Sequence, residues 1–269
     1  MVQLNRLARA SALSQLVALL LGLLLAGSTA CVSVVDDEIQ QTPEEAAEAR
    51  RNLGIDHMTN GRVALGIREM RHALALNDQD PMTHLWLGQA YLLKGKMDEA
   101  LEHSERGVEL EPDNHEGRLN LSAIYIRVGD YNKAIAEAEL LVDDPTFSTP
   151  WRALTNLGWA ELKQGQLVPA RKSLEEALEY RENYWPALLN LGILEQADHD
   201  PVGSLRYLQE VLDLDIGPGP QSEVHYRMAE AYVALGHRER ALFHLQEAIE
   251  LSPHGRWGRQ SREYLLVLN

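Results

Sequence analysis

Histidine and carboxylate side chains are the residues whose spacing could support chemistry in this chain of 269 residues. The His-Glu pair at 115–116 lacks the second histidine of a His-Glu-x-x-His zinc motif. His237 and His244 could share a metal ion, but no third ligand follows at a suitable spacing. The run 77–80 meets a proline where a calcium loop needs a glycine and further ligands. With no nucleophile motif and no glycine-rich phosphate loop either, the sequence predicts no enzyme, no metal site, no cofactor and no small-molecule substrate.

The charge of the chain excludes another class of function. The sequence has 25 Lys and Arg against 40 Asp and Glu, which gives a formal net charge of −15 at pH 7. Binding of nucleic acid needs a basic face that neutralises phosphates. We therefore expect no nucleic-acid partner, and we interpret the acidic surface as one that keeps the protein in solution.

Residues 81–114 contain a unit that recurs along the chain. Apolar residues at helical spacing predict two short helices, with Gly95 between them and Pro112 after the second. Gly88 and Ala100 are small enough to let the two helices approach closely. The order Leu-Gly-x-x-Tyr, followed by Ala, further small residues and Pro, resembles the tetratricopeptide repeat, whose period is about 34 residues.

Six copies of this unit run in phase and determine the predicted fold. We expect an all-α tetratricopeptide-repeat solenoid of six helix-turn-helix repeats, followed by a C-terminal capping helix that covers the last apolar face. The turn position is occupied by Gly61, Gly95, Gly129, Gly165, His199 and Gly236. Within residues 44–255 the repeats are placed at 47–80, 81–114, 115–150, 151–184, 185–221 and 222–255, and the capping helix at 256–269.

Two repeats are longer than the others, and their helix boundaries are expected to differ. The extra residues lie in 141–150 and in 214–220, where insertions into a solenoid should form loops. The Gly-Pro-Gly-Pro run at 217–220 is expected to be non-helical. For the helix of repeat three, Asp113 with Glu116 is expected to form the N-terminal capping box.

Residues 1–30 have the pattern of a secretory signal peptide. Arg6 and Arg9 form a basic region, and the apolar run Leu16–Ala26 that follows is too short to span a bilayer. Small residues then lead to Cys31, the only cysteine, which cannot form an intramolecular disulfide.

The position of Cys31 resembles the lipobox of bacterial lipoproteins. The resemblance implies that Cys31 becomes a lipidated N-terminus, that residues 31–43 are a lipidated tether, and that the solenoid is anchored to a membrane. Val32 after the cysteine implies the outer membrane, on its periplasmic face. Ser28 and Ala30 also fit ordinary signal peptidase, which leaves a soluble periplasmic protein as the alternative.

The inner face of the solenoid is the predicted binding surface. First-helix positions 2, 5, 9, 12 and 13 of each repeat should face a groove that is more apolar than a monomer leaves exposed, as expected for a protein-binding site. If this phase is off by one residue, the same side chains are core residues instead. The predicted groove residues are Met82, Leu85, Gln89, Leu92, Leu119, Ile126, Arg127, Arg152, Trp159, Leu162, Leu189 and Ile193.

The stretch 144–158 extends the resemblance from lipoproteins in general to one family of them. Its pattern, Asp144-Pro145, then Pro150-x-Arg-Ala-Leu-x-Asn-Leu-Gly158, is similar to a segment of the type IV pilus biogenesis lipoproteins, the secretin pilotins. The resemblance implies an outer-membrane pilotin that binds secretin subunits and promotes their assembly for type IV pilus biogenesis. The alternative is a periplasmic scaffold lipoprotein that gathers peptidoglycan-remodelling enzymes.

Overall fold

The periodic apolar pattern forms helices along the whole part of the chain that the structure, a computed structural model, describes: residues 42–268. These residues contain thirteen α-helices and no strand, which confirms the predicted all-α fold. The helices are α1 (Pro43–Thr59), α2 (Val63–Leu76), α3 (Pro81–Leu93), α4 (Met97–Leu110), α5 (His115–Val128), α6 (Tyr131–Val142), α7 (Pro150–Lys163), α8 (Leu167–Tyr180), α9 (Trp185–Ala197), α10 (Pro201–Leu212), α11 (Pro218–Ala234), α12 (Arg238–Leu251) and α13 (Arg256–Leu268).

Twelve of the helices form six helix pairs in sequence. The odd-numbered helices α1 to α11 are the A helices, and the even-numbered helices α2 to α12 are the B helices. Each A helix packs against the B helix that follows it, and each B helix also packs against the next A helix. The hydrophobic core is therefore a row of small clusters between successive helices, as expected for a solenoid.

Small residues allow the two helices of a pair to cross closely, as the sequence predicted. A Cβ atom on Gly88 would lie 3.2 Å from the carbonyl oxygen of Ala100. A Cβ atom on Gly158 would lie 2.6 Å from Cγ of Leu174 and 3.0 Å from the carbonyl oxygen of Ala170. Larger side chains at these positions would separate the backbones and open the core between them.

The turn between the two helices of each pair needs a left-handed residue. All six predicted turn residues have a positive φ, and five of them are glycine. The sixth is His199, with φ of 61°, the only positive-φ residue other than glycine among residues 42–268. The same turn thus occurs six times, and in one of them the Cβ of His199 makes the left-handed conformation sterically unfavourable.

The expectation that residues 217–220 are non-helical is wrong for residues 218–220. Gly217 has φ of 77° and precedes α11, whose first residues are Pro218, Gly219 and Pro220. The amides of a first helical turn have no partner within the helix, so a proline there removes no hydrogen bond. Proline is also preorganised for that position because its φ is already helical.

The N-cap of α5 is Asn114, one residue later than the expected Asp113. The Asn114 side-chain oxygen accepts a hydrogen bond of 2.8 Å from the backbone amide of Gly117. This bond satisfies one of the free amides at the helix start, so asparagine performs the capping that the sequence assigned to its neighbour.

The long loop after α6 is tied down by its own side chains. Phe147, a residue of this loop, is buried. The Thr146 hydroxyl and backbone amide donate to Asp144 at 2.7 and 2.8 Å, and His115 Nε2 lies 2.8 Å from the same carboxylate. The two Thr146 bonds, with a smaller contribution from His115, lower the pKa of Asp144 to about 2.

The C-terminal helix α13 packs against the last helix pair. Tyr264, Leu265 and Leu268 pack on a cluster that includes Ala229 and Leu245, so α13 covers the end of the row of cores. The predicted signal peptide at 1–30 and Cys31, together with nearly all of the predicted tether, lie outside the described residues.

Candidate protein-binding groove

The A helices line the inner side of the solenoid. Each A helix contacts the next one along the chain, and α11 contacts α13, whereas the backbones of consecutive B helices in residues 42–268 stay further apart. The Lys133 side chain of α6 still reaches Glu105 of α4, at 3.2 Å. A row of helix pairs that touches through one helix of each pair curves around that helix. Side chains of neighbouring A helices therefore meet on the inner face.

A pocket of about 240 Å³ lies between α3 and α5 on this face. Apolar side chains of α3 form one wall, while α5 and its cap supply two side-chain amides and a carboxylate. The pocket is lined by Met82, Leu85, Trp86, Gln89, Asn114, Glu116, Gly117 and Asn120.

Two residues at the start of α5 shape this pocket. Gly117 leaves room for Leu85, because a Cβ atom there would lie 3.0 Å from both of the Leu85 methyl carbons. Asn114 places its amide nitrogen 3.7 Å from the sulfur of Met82 while its oxygen caps α5. The cap therefore also positions the rim of the pocket.

Three of the predicted groove residues, Met82, Leu85 and Gln89, line the pocket. Met82 is 38% exposed, and Leu85 and Gln89 are half-buried. Five further predicted residues are half-buried: Leu92, Ile126, Arg152, Trp159 and Ile193. All of these except Arg152 pack partly against core clusters, and the Lys163 ammonium lies 5.4 Å from the Trp159 ring centroid. Arg127 is exposed.

The structure corrects the assignment of three other predicted residues to the groove. Leu119, Leu162 and Leu189 are 3%, 8% and 5% exposed and belong to core clusters. Leu119 occupies the same repeat position as Leu85, but it packs with Phe147 of the long loop, which repeat two lacks. The burial of one repeat position thus changes with the loop or helix that packs against it.

Four pocket residues were missed from the sequence: Trp86, Asn114, Gly117 and Asn120. Trp86 and Asn120 occupy the sixth position of repeats two and three, one helical turn after the second position that was included. The spacing from Met82 to Trp86 and on to Gln89 follows one helix face, and this signal could have identified the sixth position.

Ion pairs link neighbouring A helices beside the pocket. Arg152 of α7 donates to Glu116 of α5 at 2.6 Å, and Arg51 of α1 donates to Asp80 at the start of α3 at 2.8 Å. The predicted groove residue Arg152 is therefore already engaged by a carboxylate. Because these charges neutralise one another, the pocket presents an apolar wall with an amide rim, which suits a polypeptide segment with an apolar anchor.

No three His, Cys, Asp or Glu side chains within residues 42–268 are placed to hold a metal ion. In the same residues, no helix combines the length and apolarity needed to cross a membrane.

Comparison with known families identifies the repeat. Residues 51–115, 152–184 and 222–254 each match models described as tetratricopeptide repeat. Together with the helix pairs and their glycine turns, these matches define the fold as a tetratricopeptide-repeat solenoid, as the sequence predicted. Repeats of this kind bind protein partners.

Solved structures with the same fold include PilW and PilF. The crystal structure of PilW, described as a widely conserved type IV pilus biogenesis factor, is similar with a TM-score of 0.68 at 18% identity, over 80% of this chain and 97% of that one. Pseudomonas aeruginosa PilF is similar with a TM-score of 0.62 at 16% identity, over 82% and 99%. At these identities the likeness concerns the fold.

A curated relative with a similar sequence is a longer protein. The BBSome complex member BBS4 of Bos taurus is 24% identical over 261 residues, which cover 85% of this chain and 50% of that protein. The chain thus spans about half the length of this relative.

Proposed function

We propose that this protein is an outer-membrane lipoprotein pilotin, which binds secretin subunits and promotes secretin assembly for type IV pilus biogenesis. The observation that carries the proposal is the pocket between α3 and α5 on the inner face of the solenoid. The proposal is further supported by the fold likeness to PilW and PilF, which extends over nearly the full length of both pilus proteins.

In this proposal the pocket holds an apolar anchor of the secretin segment. An aliphatic or aromatic side chain would enter against Leu85 and Trp86, and its full burial would contribute about 1.5–3 kcal/mol. The side-chain amides of Gln89 and Asn120 would hydrogen-bond the backbone on either side of the anchor. An extended segment held in this way is shielded from premature association with other subunits.

Membrane attachment in this proposal depends on Cys31. Acylation of its thiol and amino group would hold the solenoid at the inner leaflet of the outer membrane, and several acyl chains are needed for stable anchoring. Mass spectrometry of the intact mature protein tests this step. A chain that begins at Cys31 and carries acyl groups is expected, and an unmodified Cys31 would exclude the anchor.

The first experiment compares secretin multimers in cells with and without the gene. We expect the secretin multimer to disappear in its absence, leaving secretin monomer, and to return with the wild-type gene. Unchanged multimers would contradict the pilotin role. If the tagged protein then captured peptidoglycan hydrolases from the periplasm, the scaffold function would replace it.

A further inference from the structure

One pair of positions joins the A and B helices of a repeat by polar contacts in four of the six repeats. The fourth residue of each repeat, on the A helix, faces the twenty-third, on the B helix. Repeats one and three place an Arg-Glu ion pair there, at 2.8 and 2.6 Å, and repeats two and six place two histidines with Nδ1 atoms 3.0 and 2.9 Å apart. The four pairs are Arg50–Glu69, Arg118–Glu137, His84–His103 and His225–His244.

The two histidine pairs share a wider arrangement. In repeat two the ring of Tyr91 stacks on His103, with centroids 5.5 Å apart and an angle of 14° between the planes. In repeat six Tyr232 stacks on His244, at 5.2 Å and 18°. The same three residue types therefore meet at equivalent positions of two repeats that are far apart in the chain.

Hydrogen bonding limits how many protons a histidine pair can hold. His84 Nε2 lies 3.2 Å from the backbone oxygen of Asp78 and donates to it, so in the neutral pair His84 Nδ1 accepts from Nδ1–H of His103. One added proton keeps one donor and one acceptor between the two Nδ1 atoms. A second proton gives two facing N–H groups and two positive charges at hydrogen-bond distance, which repel each other.

Burial also limits how many protons each histidine pair can bind. His84 and His244 are each 8% exposed. Desolvation, followed by the charge of His84, lowers the pKa of His103. Desolvation also lowers the pKa of His225, and with the charge of His225 it lowers the pKa of His244 to about 4.

Charged neighbours are distributed differently around the two pairs. Around His84–His103, α2 contributes Arg71, α3 contributes Tyr91, and the cavity beside α4 is lined by several acidic residues and one arginine. These α4 residues are Asp98, Glu102, Glu105, Arg106 and Glu109, with Glu99 also acting on His103. Around His225–His244 the corresponding groups are Tyr232 of α11 and Arg240 and Glu247 of α12. The acidic cavity partly favours protonation of the histidine pair in repeat two. The pair in repeat six has fewer acidic neighbours to offset the effect of desolvation.

We propose that the two histidine pairs are proton-sensitive clasps, which hold the A and B helices of repeats two and six together when they carry at most one proton and release them when they bind a second. The sign follows from proton binding: unfolded histidines, with pKa values near 6.5, bind more protons than the buried pairs as the pH falls, so acid favours the opened state. The Arg-Glu pairs of repeats one and three contain no imidazole. Acid is therefore expected to loosen α3–α4 and α11–α12 first.

The test uses the ion pairs of the other repeats as replacements. A variant carrying His84→Arg, His103→Glu, His225→Arg and His244→Glu is compared with the wild-type chain by hydrogen exchange at about pH 7.5 and about pH 5, either side of the ordinary imidazole pKa. Exchange rates are corrected for their intrinsic pH dependence. In the wild-type chain, protection should fall between the two pH values in the helices of repeats one, two, three and six. The fall should be about tenfold larger in α3, α4, α11 and α12 than in α1, α2, α5 and α6. A tenfold factor is what a displacement of one pKa by one unit produces. In the variant this difference should disappear.

Two controls keep the proposal falsifiable. His254→Gln removes an exposed histidine and should leave the acid response of the wild-type chain unchanged. If the fourfold variant does not fold, an NMR titration of the wild-type imidazoles decides the question, because each pair should bind its two protons in separate steps. Equal loss of protection in all repeats, or both protons of each pair binding together near the ordinary imidazole pKa, would overturn the proposal.

Discussion

At the scale of single residues, all six turns share one backbone conformation, although the residue type differs at one of them. All six turns between A and B helices use a left-handed residue, and His199 adopts the same conformation as the five glycines. A left-handed non-glycine residue costs about 1–2 kcal/mol because its Cβ approaches the following carbonyl oxygen. His199 is exposed and its turn is surrounded by well-packed helices, so the solenoid tolerates this cost.

His199→Gly is expected to stabilise the protein. Removing the Cβ relieves the left-handed strain, while glycine adds conformational entropy to the unfolded chain, so the net gain should be about 0.5–1 kcal/mol in the free energy of unfolding. Denaturant unfolding measures it. The reverse change at an equivalent turn, Gly95→His, should be destabilising, and a loss of stability in His199→Gly would contradict the strain argument.

Asp144 should make a pH-dependent contribution to the order of the long loop. Its pKa is lowered to about 2 from an ordinary value of 3.8, so the carboxylate stabilises the fold above about pH 4 and loses this effect as the pH falls towards 2. A carboxyl NMR titration should find this low pKa. Thr146→Val removes the hydroxyl, the first of the causes, and should raise the pKa of Asp144; an unchanged titration would show that the Thr146 hydroxyl does not hold the carboxylate.

At the scale of helices, the solenoid depends on close crossings within each repeat and on polar links between repeats. Gly158 lets α7 approach α8 at the backbone level. Arg171 of α8 reaches into the next repeat, where it donates to both oxygens of Glu195 at 2.5 and 3.0 Å and to Asp198 at 3.1 Å. The Glu195 side chain is only 7% exposed, so Arg171 is the partner of a buried carboxylate.

Gly158→Ala should destabilise the crossing of α7 and α8. The added Cβ would lie 2.6 Å from Leu174 Cγ and 3.0 Å from a backbone oxygen, and the required shift should cost about 1–3 kcal/mol. Gly219→Ala is the matched control, since no atom lies within 4 Å of a Cβ there. Thermal unfolding should show a lower midpoint for the first variant and an equal or higher midpoint for the second; equal losses would exclude crowding as the cause.

Arg171→Met should be among the most destabilising single changes between repeats. It leaves the buried carboxylate of Glu195 without its partner, which typically costs about 3–5 kcal/mol. The double variant Arg171→Met with Glu195→Leu removes both charges and should recover much of the loss. Urea unfolding of the two single variants and the double variant completes the cycle, and a double variant as unstable as Arg171→Met would disprove this reading of the link.

At the scale of the whole solenoid, function depends on where the row of A helices leaves apolar surface open. The inner face is mostly closed by packing between repeats, as the burial of Leu119, Leu162 and Leu189 illustrates. Between α3 and α5 it remains open, because Gly117 stands where a larger residue would meet Leu85. The proposed pilotin function is therefore assigned to repeats two and three.

Met82→Glu should weaken binding of the partner without unfolding the solenoid. Met82 is 38% exposed at the pocket, so a charge there is tolerated by the fold but conflicts with an apolar anchor. Val202→Glu is the control, because Val202 is 64% exposed on a B helix away from the pocket. Co-purification with secretin subunits should fall about tenfold or more for the first variant only, as expected for a loss of about 1.4 kcal/mol. Similar losses for both variants would argue against this pocket.

The sequence by itself determined the repeat, the turn positions and the close helix crossings. These features depend on local rules, because a left-handed turn and a tight crossing each require a particular residue at a fixed spacing. The resemblance of residues 144–158 to the pilus lipoproteins also came from the sequence, and the lipoprotein function that it implies stays a prediction. The Gly-Pro run at the start of α11 was misread because its prolines fall in a first helical turn, where the usual penalty against proline does not apply.

Only the tertiary structure decided which side chains of the inner face remain accessible. Leu85 and Leu119 occupy the same repeat position, yet one lines a pocket and the other is buried with Phe147. The difference comes from residues more than twenty positions away in the chain: Gly117 opposite Leu85, and the long loop above Leu119. The histidine pairs were invisible for the same reason, since each joins residues nineteen positions apart on two helices. Burial and pairing depend on what the neighbouring helix brings, and periodicity within one helix carries no information about that.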